Sequence, residues 1–233
     1  MPPFRRLAFE ACLTYLEDTT LRRAILLSGP RRVGKTTVLH QTAQSLVQKG
    51  HDPKSILYLS LDHPLLKLLS IREILSLYHE STHPDGKPTT LLLDEIQYAQ
   101  VWETEIKILL DHKPQYCILA TGSASVVHRE RLAESGVGRW ITVPIPTLSF
   151  FEFVSIRKEL PNGIASELRV SDLFALKPGD LPVLTSQMRP LQPLFQRYLL
   201  VGGFPETATQ ENIDLCQRLL REDVVERVLK RDM

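Results

Sequence analysis

Cysteine is scarce in this sequence: Cys12, Cys117 and Cys216 are the three examples among 233 residues, and they lie far apart. No CxxC pair occurs, which excludes the common metal-binding and redox motifs and makes a disulfide framework implausible. A reducing, cytoplasmic environment fits this usage best. An excess of one charge is also lacking, because 28 basic residues against 27 acidic ones leave a net charge of +1. That balance gives no overall attraction for nucleic acid or a membrane surface, although a local basic face remains compatible with it.

Long apolar runs are absent as well. No window approaches the roughly 18 uninterrupted apolar residues of a membrane-spanning helix, so none is expected. Residues 1–18 carry charges inside their apolar run and do not form a signal peptide pattern. The hydrophobic fraction of 43% and the charged fraction of 24% are ordinary for a folded domain. The length allows one α/β domain with a small appendage.

Short apolar segments alternate with amphipathic helical patterns through the first part of the chain. Strands are predicted at 24–27, 55–62, 89–95, 116–123 and 139–145, and helices at 4–18, 36–49, 70–79 and 101–112. Because each strand is almost continuously apolar and helices separate the strands, the pattern indicates an α/β fold with a parallel sheet covered on both faces. The prolines of the fifth strand indicate an edge position.

The pattern changes after Leu148. A helix is predicted at 148–158, and the proline-rich stretch 161–190 is interpreted as an insertion that is partly helical at 170–176. Helices return at 191–201 and 212–230, separated by the turn-like GGFPE. Two domains are therefore predicted, a core at 1–150 and a linker, insertion and helical lid at 151–233.

The stretch GPRRVGKT matches G-x-x-x-x-G-K-[ST] in full, with a buried strand before it and a helix after it. Gly34 lets the backbone turn its N–H groups toward phosphate oxygens, and the helix N-terminus adds its positive end. Lys35 is expected to reach the outer phosphates and the Thr36 hydroxyl to ligate Mg²⁺. The predicted nucleotide-binding residues are Gly29, Pro30, Arg31, Arg32, Val33, Gly34, Lys35, Thr36 and Thr37.

Arg31 and Arg32 leave two interpretations open. Their side chains are expected to point away from the phosphates. They are then either exposed loop charges or groups that grip the nucleotide or a neighbouring subunit.

Two acidic residues end the third predicted strand. The Asp94 carboxylate can hold Mg²⁺, directly or through water, and Glu95 can polarise a water for attack on the γ-phosphate. Kinases need no water-activating group, so this pair favours hydrolysis over phosphoryl transfer. After the fourth strand, Thr121 or Ser123 can hydrogen-bond the γ-phosphate or the water, whereas Ser123 or Ser125 can instead cap a helix.

The stretch HESTH at 79–83 matches the zinc-protease pattern H-E-x-x-H. That pattern requires one continuous helix, whereas Pro84 disfavours a helical conformation at His83. The next histidine of the extended pattern would fall at Thr89. We therefore expect surface histidines at a fraying helix end and no zinc site.

These motifs together resemble a known family. GPRRVGKTT, LLLDEIQ, TGSAS, GRWITVPIPTLSFFEF and YLLVGGFPE occur in the order seen in AAA+-like ATPases of the AAA-14 type, which lie near the signal-transduction ATPases with numerous domains. The resemblance covers about residues 4–232. It implies a P-loop NTPase fold with strand order 5-1-4-3-2, in which the fourth strand lies between the phosphate-loop strand and the Asp94 strand. Thr121 and Ser123 would then lie beside the γ-phosphate.

The resemblance also implies roles for two later segments. Gly138 and Arg139 match a Gly-Arg pair before the fifth strand, from which an arginine could reach a nucleotide in a neighbouring subunit. A surface arginine in a salt bridge is the alternative. Gly203 and Pro205 match a GxP turn whose proline packs on the adenine base in related ATPases. A turn that merely breaks a helix is the alternative.

Members of this family usually continue into a C-terminal region, often with a DNA-binding-like winged helix, whereas this sequence stops at Met233. The resemblance therefore implies a fragment or a shortened member. DNA contact is expected only through that missing region.

The predicted function is an ATP hydrolase that uses Mg²⁺ and acts as a slow molecular switch. The alternatives are a nucleotide-binding interaction module with negligible hydrolysis and, with less support, a small-molecule kinase. ATP or ADP is the expected ligand, a homo-oligomer is compatible with an arginine acting in trans, and no membrane partner is expected. No motif identifies the protein partner.

Overall fold

The computed structural model describes residues 3–18, 20, 22–123, 138–160, 177 and 179–225. The chain divides into two compact units, residues 1–146 and 147–233. Ser125, the helix predicted at 170–176 and the end of the helix predicted at 212–230 lie outside the described residues. Among the helices that are described, none is both long and apolar enough to cross a membrane.

The first unit alternates strands and helices, as predicted. Its strands are β1 (Ala24–Ser28), β2 (Ile56–Ser60), β3 (Thr89–Asp94), β4 (Tyr116–Gly122) and β5 (Trp140–Pro144). Its helices are α1 (Leu7–Glu17), α2 (Lys35–Gln48), α3 (Ile71–Ser81) and α4 (Trp102–His112). Short 3₁₀ turns lie at Pro53–Ser55, Leu66–Leu68 and Ile96–Tyr98.

The five strands form one sheet in the order β2-β3-β4-β1-β5, and every neighbouring pair is parallel. This confirms the predicted α/β class, the strand order and the edge position of the fifth strand. Because the strands are parallel, their carboxyl ends meet at one edge of the sheet, where ligands bind in open α/β folds. β4 separates β1 from β3, so the residues after these strands converge there.

Alternation along the strands explains why both faces of the sheet are apolar. In β1, Leu26 belongs to a buried cluster that includes residues of α3 and α4, such as Ile74 and Ile106. Its neighbours Ile25 and Leu27 are equally buried and lie on the other face, as period-two geometry requires. Helices α1 and α2 pack against each other and against the strands. Each fully buried leucine or isoleucine contributes about 2 kcal/mol to folding.

The second unit is helical in its described part. It contains α5 (Phe150–Ile156), α6 (Leu181–Met188), α7 (Leu191–Val201), α8 (Pro205–Thr209) and α9 (Ile213–Leu219), followed by a π-helical turn at Leu220–Val225. Ser149 and Glu152 form a reciprocal capping box that begins α5. Phe153 packs on Tyr198 with ring centroids 5.2 Å apart, and the Tyr198 hydroxyl donates to the Leu148 carbonyl at 2.8 Å. This contact holds α7 against α5.

Three local predictions for this unit need correction. Residues 181–188 form a helix inside the stretch interpreted as an insertion, because Pro182 lies in its first turn, where the missing N–H costs nothing. GGFPE is more than a turn, since Pro205 begins a short helix in the same way. The helix predicted from 212 is α-helical only to Leu219 and continues as a π turn to Val225.

Candidate nucleotide-binding site

The phosphate loop leaves β1 at Ser28 and enters α2 at Lys35. Gly34 is the residue before the helix and has φ 96° and ψ 23°, a left-handed conformation that favours glycine. Gly29 is required for a different reason. Ile145 N donates to the Ser28 carbonyl at 2.7 Å, and a Cβ on Gly29 would lie 2.1 Å from the Ile145 carbonyl oxygen. The loop therefore packs directly against the end of β5.

Lys35 lies within the loop that it is expected to serve. Its ammonium donates to the carbonyls of Gly29 at 3.0 Å and Pro30 at 2.8 Å, and the residue is 5% exposed. Burial lowers the pKa of Lys35 below its ordinary value, while the carboxylates of Glu95 and Asp94 act in the opposite direction. An outer phosphate would supply the negative charge that the two neutral carbonyls lack.

Asp94 is the centre of the polar network. Three hydroxyl groups donate to its buried carboxylate: Thr36 to Oδ2 at 2.7 Å, Tyr58 to Oδ2 at 3.1 Å and Thr121 to Oδ1 at 2.5 Å. Burial, followed by the nearby Asp94 charge, raises the pKa of Tyr58 to about 12, so Tyr58 stays a donor. The Thr36 hydroxyl and the Asp94 carboxylate are hard oxygen ligands of the kind Mg²⁺ prefers, and they fit a site completed by phosphate oxygens and water.

Thr121 lies at the end of β4 and is fully buried. Its hydroxyl donates its single proton to Asp94 and accepts the backbone N–H of Glu95 at 2.9 Å. A hydroxyl carries one proton, so in this arrangement Thr121 has none to donate to a phosphate oxygen. Ser123 follows two residues later at the same end of the strand and is partly exposed.

Glu95 has a backbone conformation that is uncommon for its residue type, with φ 55° and ψ 51°. Left-handed conformations of non-glycine residues cost free energy and cluster at functional sites. The side-chain amide of Gln97 donates to the Glu95 carboxylate. Within the described part of the chain, Gln97 Oε1 is buried and has no hydrogen-bond partner. Gln97 thus uses the nitrogen of its amide in this contact, while the amide oxygen has no partner among the described residues.

The two loop arginines lie at the surface of the first unit, and whether they face away from bound phosphates stays a prediction. Arg31 and Arg32 are exposed, and Arg31 Nη2 donates to the Tyr98 hydroxyl at 2.8 Å. Arg32 has a left-handed backbone with φ 64°. Arg31 thus connects the phosphate loop to the turn that follows Glu95.

Arg139 lies at the end of the sheet where the strands begin, opposite the end that carries the phosphate loop. Its neighbour Trp140 is paired with Ala24, the first residue of β1, whereas the phosphate loop follows the last residue of that strand. The separation along the strand is roughly 15 Å. Arg139 makes a two-pronged ion pair with Asp111, with both N···O distances 3.2 Å. It therefore does not serve the nucleotide of its own chain, and its action in trans stays a prediction.

Gly203 and Pro205 belong to the second unit. A Cβ on Gly203 would lie 2.7 Å from the carbonyl oxygen of Leu148, and Leu148 N donates to the Gly203 carbonyl at 2.5 Å. This packing is a sufficient reason for glycine there. Pro205 is half-buried at the start of α8, and its contact with adenine stays a prediction.

The histidines of HESTH are not at the surface, so that prediction is wrong. Helix α3 ends at Ser81, as Pro84 indicated, but His83 is only 9% exposed. His79 uses both ring nitrogens, with the His83 carbonyl at 2.6 Å and the Tyr116 hydroxyl at 2.5 Å. The start of β4 covers this helix end. The described residues contain no group of three or more metal-ligating side chains.

Sequence reasoning missed three residues of the site: Arg6, Tyr58 and Gln97. Tyr58 and Gln97 were detectable in principle, since one lies in the middle of the predicted strand 55–62 and the other follows Glu95 closely. Arg6 carries no local signal. It donates to the backbone of the phosphate loop from a position before α1.

A five-stranded parallel sheet with this order and a glycine-rich loop between β1 and α2 defines a P-loop NTPase. A family model for an AAA domain, AAA_14, matches residues 21–154, and the chain belongs to that family. The solved structure of AMPPCP-bound DnaA from Aquifex aeolicus resembles it with a TM-score of 0.51 at 17% identity, over 97% of this chain and 64% of that one. This likeness shows the fold alone.

Two curated relatives match by sequence. The uncharacterized protein MJ1637 of Methanocaldococcus jannaschii is 27% identical over 222 residues, which are 94% of this chain and 45% of the relative. An uncharacterized protein of Haemophilus influenzae is 26% identical over 196 residues, 83% of this chain and 42% of the relative. The chain thus spans less than half the length of either relative.

Proposed function

We propose that this protein binds ATP with Mg²⁺ and hydrolyses it slowly, as a molecular switch. The observation that carries the proposal is a continuous set of hydrogen bonds at the carboxyl edge of the sheet. It runs from the Thr36 hydroxyl through the Asp94 carboxylate to Thr121, and from Thr121 to the backbone N–H of Glu95. The set joins the phosphate loop to a carboxylate that can act on water.

Each residue of the set has a chemical role in the proposal. The loop N–H groups bind the phosphates, and Lys35 leaves the carbonyls of its own loop for an outer phosphate oxygen. Thr36 and Asp94 would hold Mg²⁺, which neutralises phosphate charge when bound. Glu95 accepts a proton from the attacking water. Thr121 or Ser123, at the carboxyl end of β4, donates to the γ-phosphate, and Thr121 would first have to release Asp94.

Slow turnover follows from the position of Glu95. Its carboxylate accepts the Gln97 amide at one oxygen, so any turn of the carboxylate toward the attacking water would first break that hydrogen bond. The second unit would respond when the γ-phosphate leaves, with Gly203 and Pro205 near the base. A neighbouring copy would supply Arg139, which requires a homo-oligomer.

The Gln97 contact also supports one alternative, an interaction module that retains nucleotide and scarcely hydrolyses it. In that case Gln97 would hold Glu95 permanently away from water. The two functions differ in turnover and share nucleotide binding.

Glu95→Gln tests the proposal directly. We expect the variant to bind ATP like the wild type and to lose hydrolysis by a factor on the order of 10²–10⁴, because the amide cannot accept a proton. Glu80→Gln, which removes an exposed carboxylate of α3, is the matched control. Phosphate release and calorimetric titration give the two quantities. A wild-type rate equal to that of Glu95→Gln would favour the interaction module instead.

A further inference from the structure

Arg6 lies immediately before α1, with its guanidinium buried beside the phosphate loop. The residue is 5% exposed. Nη1 donates to the Val33 carbonyl at 2.5 Å, and Nη2 donates to the Pro146 carbonyl at 2.8 Å. Val33 is a fully buried residue of the loop, and Pro146 is the last residue of the first unit. One side chain therefore joins two backbone segments that are distant in sequence.

The hydrogen bond from Arg6 to the Val33 carbonyl also orients the N–H of the next residue, Gly34. The Val33 carbonyl and the Gly34 N–H belong to the same peptide unit, and the described chain has no cis peptide bonds. In a trans unit these two groups point in opposite directions. Because Arg6 holds the carbonyl, the Gly34 N–H is directed away from Arg6. This N–H lies at the start of α2, among the donors that cradle phosphate in loops of this kind.

The backbone of Arg6 is itself fixed. Gln41 Nε2, on α2, donates to the Phe4 carbonyl at 2.7 Å, and Phe9 N donates to the Arg6 carbonyl at 2.9 Å. The guanidinium is a planar group with several donors in fixed directions, which suits two carbonyls at once. A lysine at this position would offer a single point charge.

We propose that Arg6 is a positioning residue for phosphate binding: it fixes the Val33–Gly34 peptide so that the Gly34 N–H is oriented for phosphate before nucleotide arrives, and Pro146 anchors it in that position. The inference rests on the proposed function, because it concerns the same loop. It adds a residue that neither the motif nor the carboxylate pair includes. Arg6 does not touch the reacting atoms, so binding should depend on it more than the chemical step does.

The test compares Arg6→Met and Arg6→Lys with Arg5→Met. Arg5 is the adjacent arginine, exposed and stacked 4.4 Å above the Phe9 ring, so it controls for loss of charge in the same segment. We expect Arg6→Met to raise the Kd of both ATP and ADP about tenfold or more, with kcat at saturating ATP within about twofold of wild type. Arg6→Lys should raise Kd less, and Arg5→Met should leave it unchanged.

Equal nucleotide affinities in Arg6→Lys and Arg5→Met would overturn the inference. If Arg6→Met does not fold, this comparison of Arg6→Lys with Arg5→Met is the test. A wild type that binds neither nucleotide would defeat the proposed function separately. Hydrogen exchange of the amides of residues 31–35 in nucleotide-free protein then decides the inference. Faster exchange in Arg6→Lys than in Arg5→Met supports a positioning role, and equal exchange refutes it.

Discussion

Replacing Thr121 by valine should destabilise the nucleotide-free protein, because the hydroxyl of Thr121 connects Asp94 to Glu95. The residue is fully buried, so water cannot replace the lost bonds. Loss of the hydrogen bond to the Asp94 carboxylate, together with a partly buried Glu95 N–H left without its acceptor, costs about 3–5 kcal/mol. The added buried methyl group offsets about 1 kcal/mol. A net loss of about 3 kcal/mol lowers Tm by about 6–12 °C in a protein of this size.

Thr121→Ser is the matched control, since it keeps the hydroxyl and removes a methyl group. Its expected cost is about 1 kcal/mol, or about 2–4 °C in Tm. Thermal unfolding of both variants, followed by circular dichroism without nucleotide or Mg²⁺, measures the difference. A valine variant as stable as the serine variant would refute the reasoning. If that variant also lost hydrolysis, Thr121 would instead donate to the γ-phosphate.

Two further predictions concern the loop and the far edge of the sheet. Gly29→Ala should lower Tm, because its Cβ would lie 2.1 Å from the Ile145 carbonyl oxygen. Overpacking of this kind costs about 1–3 kcal/mol or more. Gly179→Ala is the control and should leave Tm unchanged, because a Cβ there meets nothing within 4 Å. Arg139→Ala should abolish any rise of specific ATPase activity with protein concentration, whereas Asp111→Ala, which removes the ion-pair partner and leaves the guanidinium, should retain it. Equal effects of the two variants would mean that Arg139 acts only through its ion pair.

Local pattern was sufficient for the strands and most helices of the first unit. The run of residues 24–27 is apolar without interruption and is followed within two residues by a glycine-rich loop, so it has few alternatives to a buried strand. Local pattern does not predict the order of the strands in the sheet, because any of several orders would bury the same residues. That order came from the resemblance of the motifs to a family, and the sheet confirms it.

The surroundings of His79, His83 and Thr121 could not be predicted from the local sequence pattern. Pro84 correctly indicated the end of α3 before His83, but burial depends on what packs above a helix end, and the first residue of β4 lies there. Thr121 and Ser123 have equal standing in the sequence, because residues two apart share a face of a strand. The structure shows that Thr121 donates its single proton to Asp94, a contact that its place in the strand does not report.

The sequence by itself predicted the chemistry that we propose for the site: a phosphate-binding loop at Gly29–Thr36, a carboxylate for Mg²⁺ and a carboxylate for water, each following a buried strand. These depend on residue type and on neighbours a few positions away, which periodicity and motif spacing report. Only the tertiary structure decided which groups are already bonded to one another. Arg6 reaches Val33 and Pro146 because folding brings groups that are distant in sequence within hydrogen-bond distance. Such contacts leave no periodic trace along the chain.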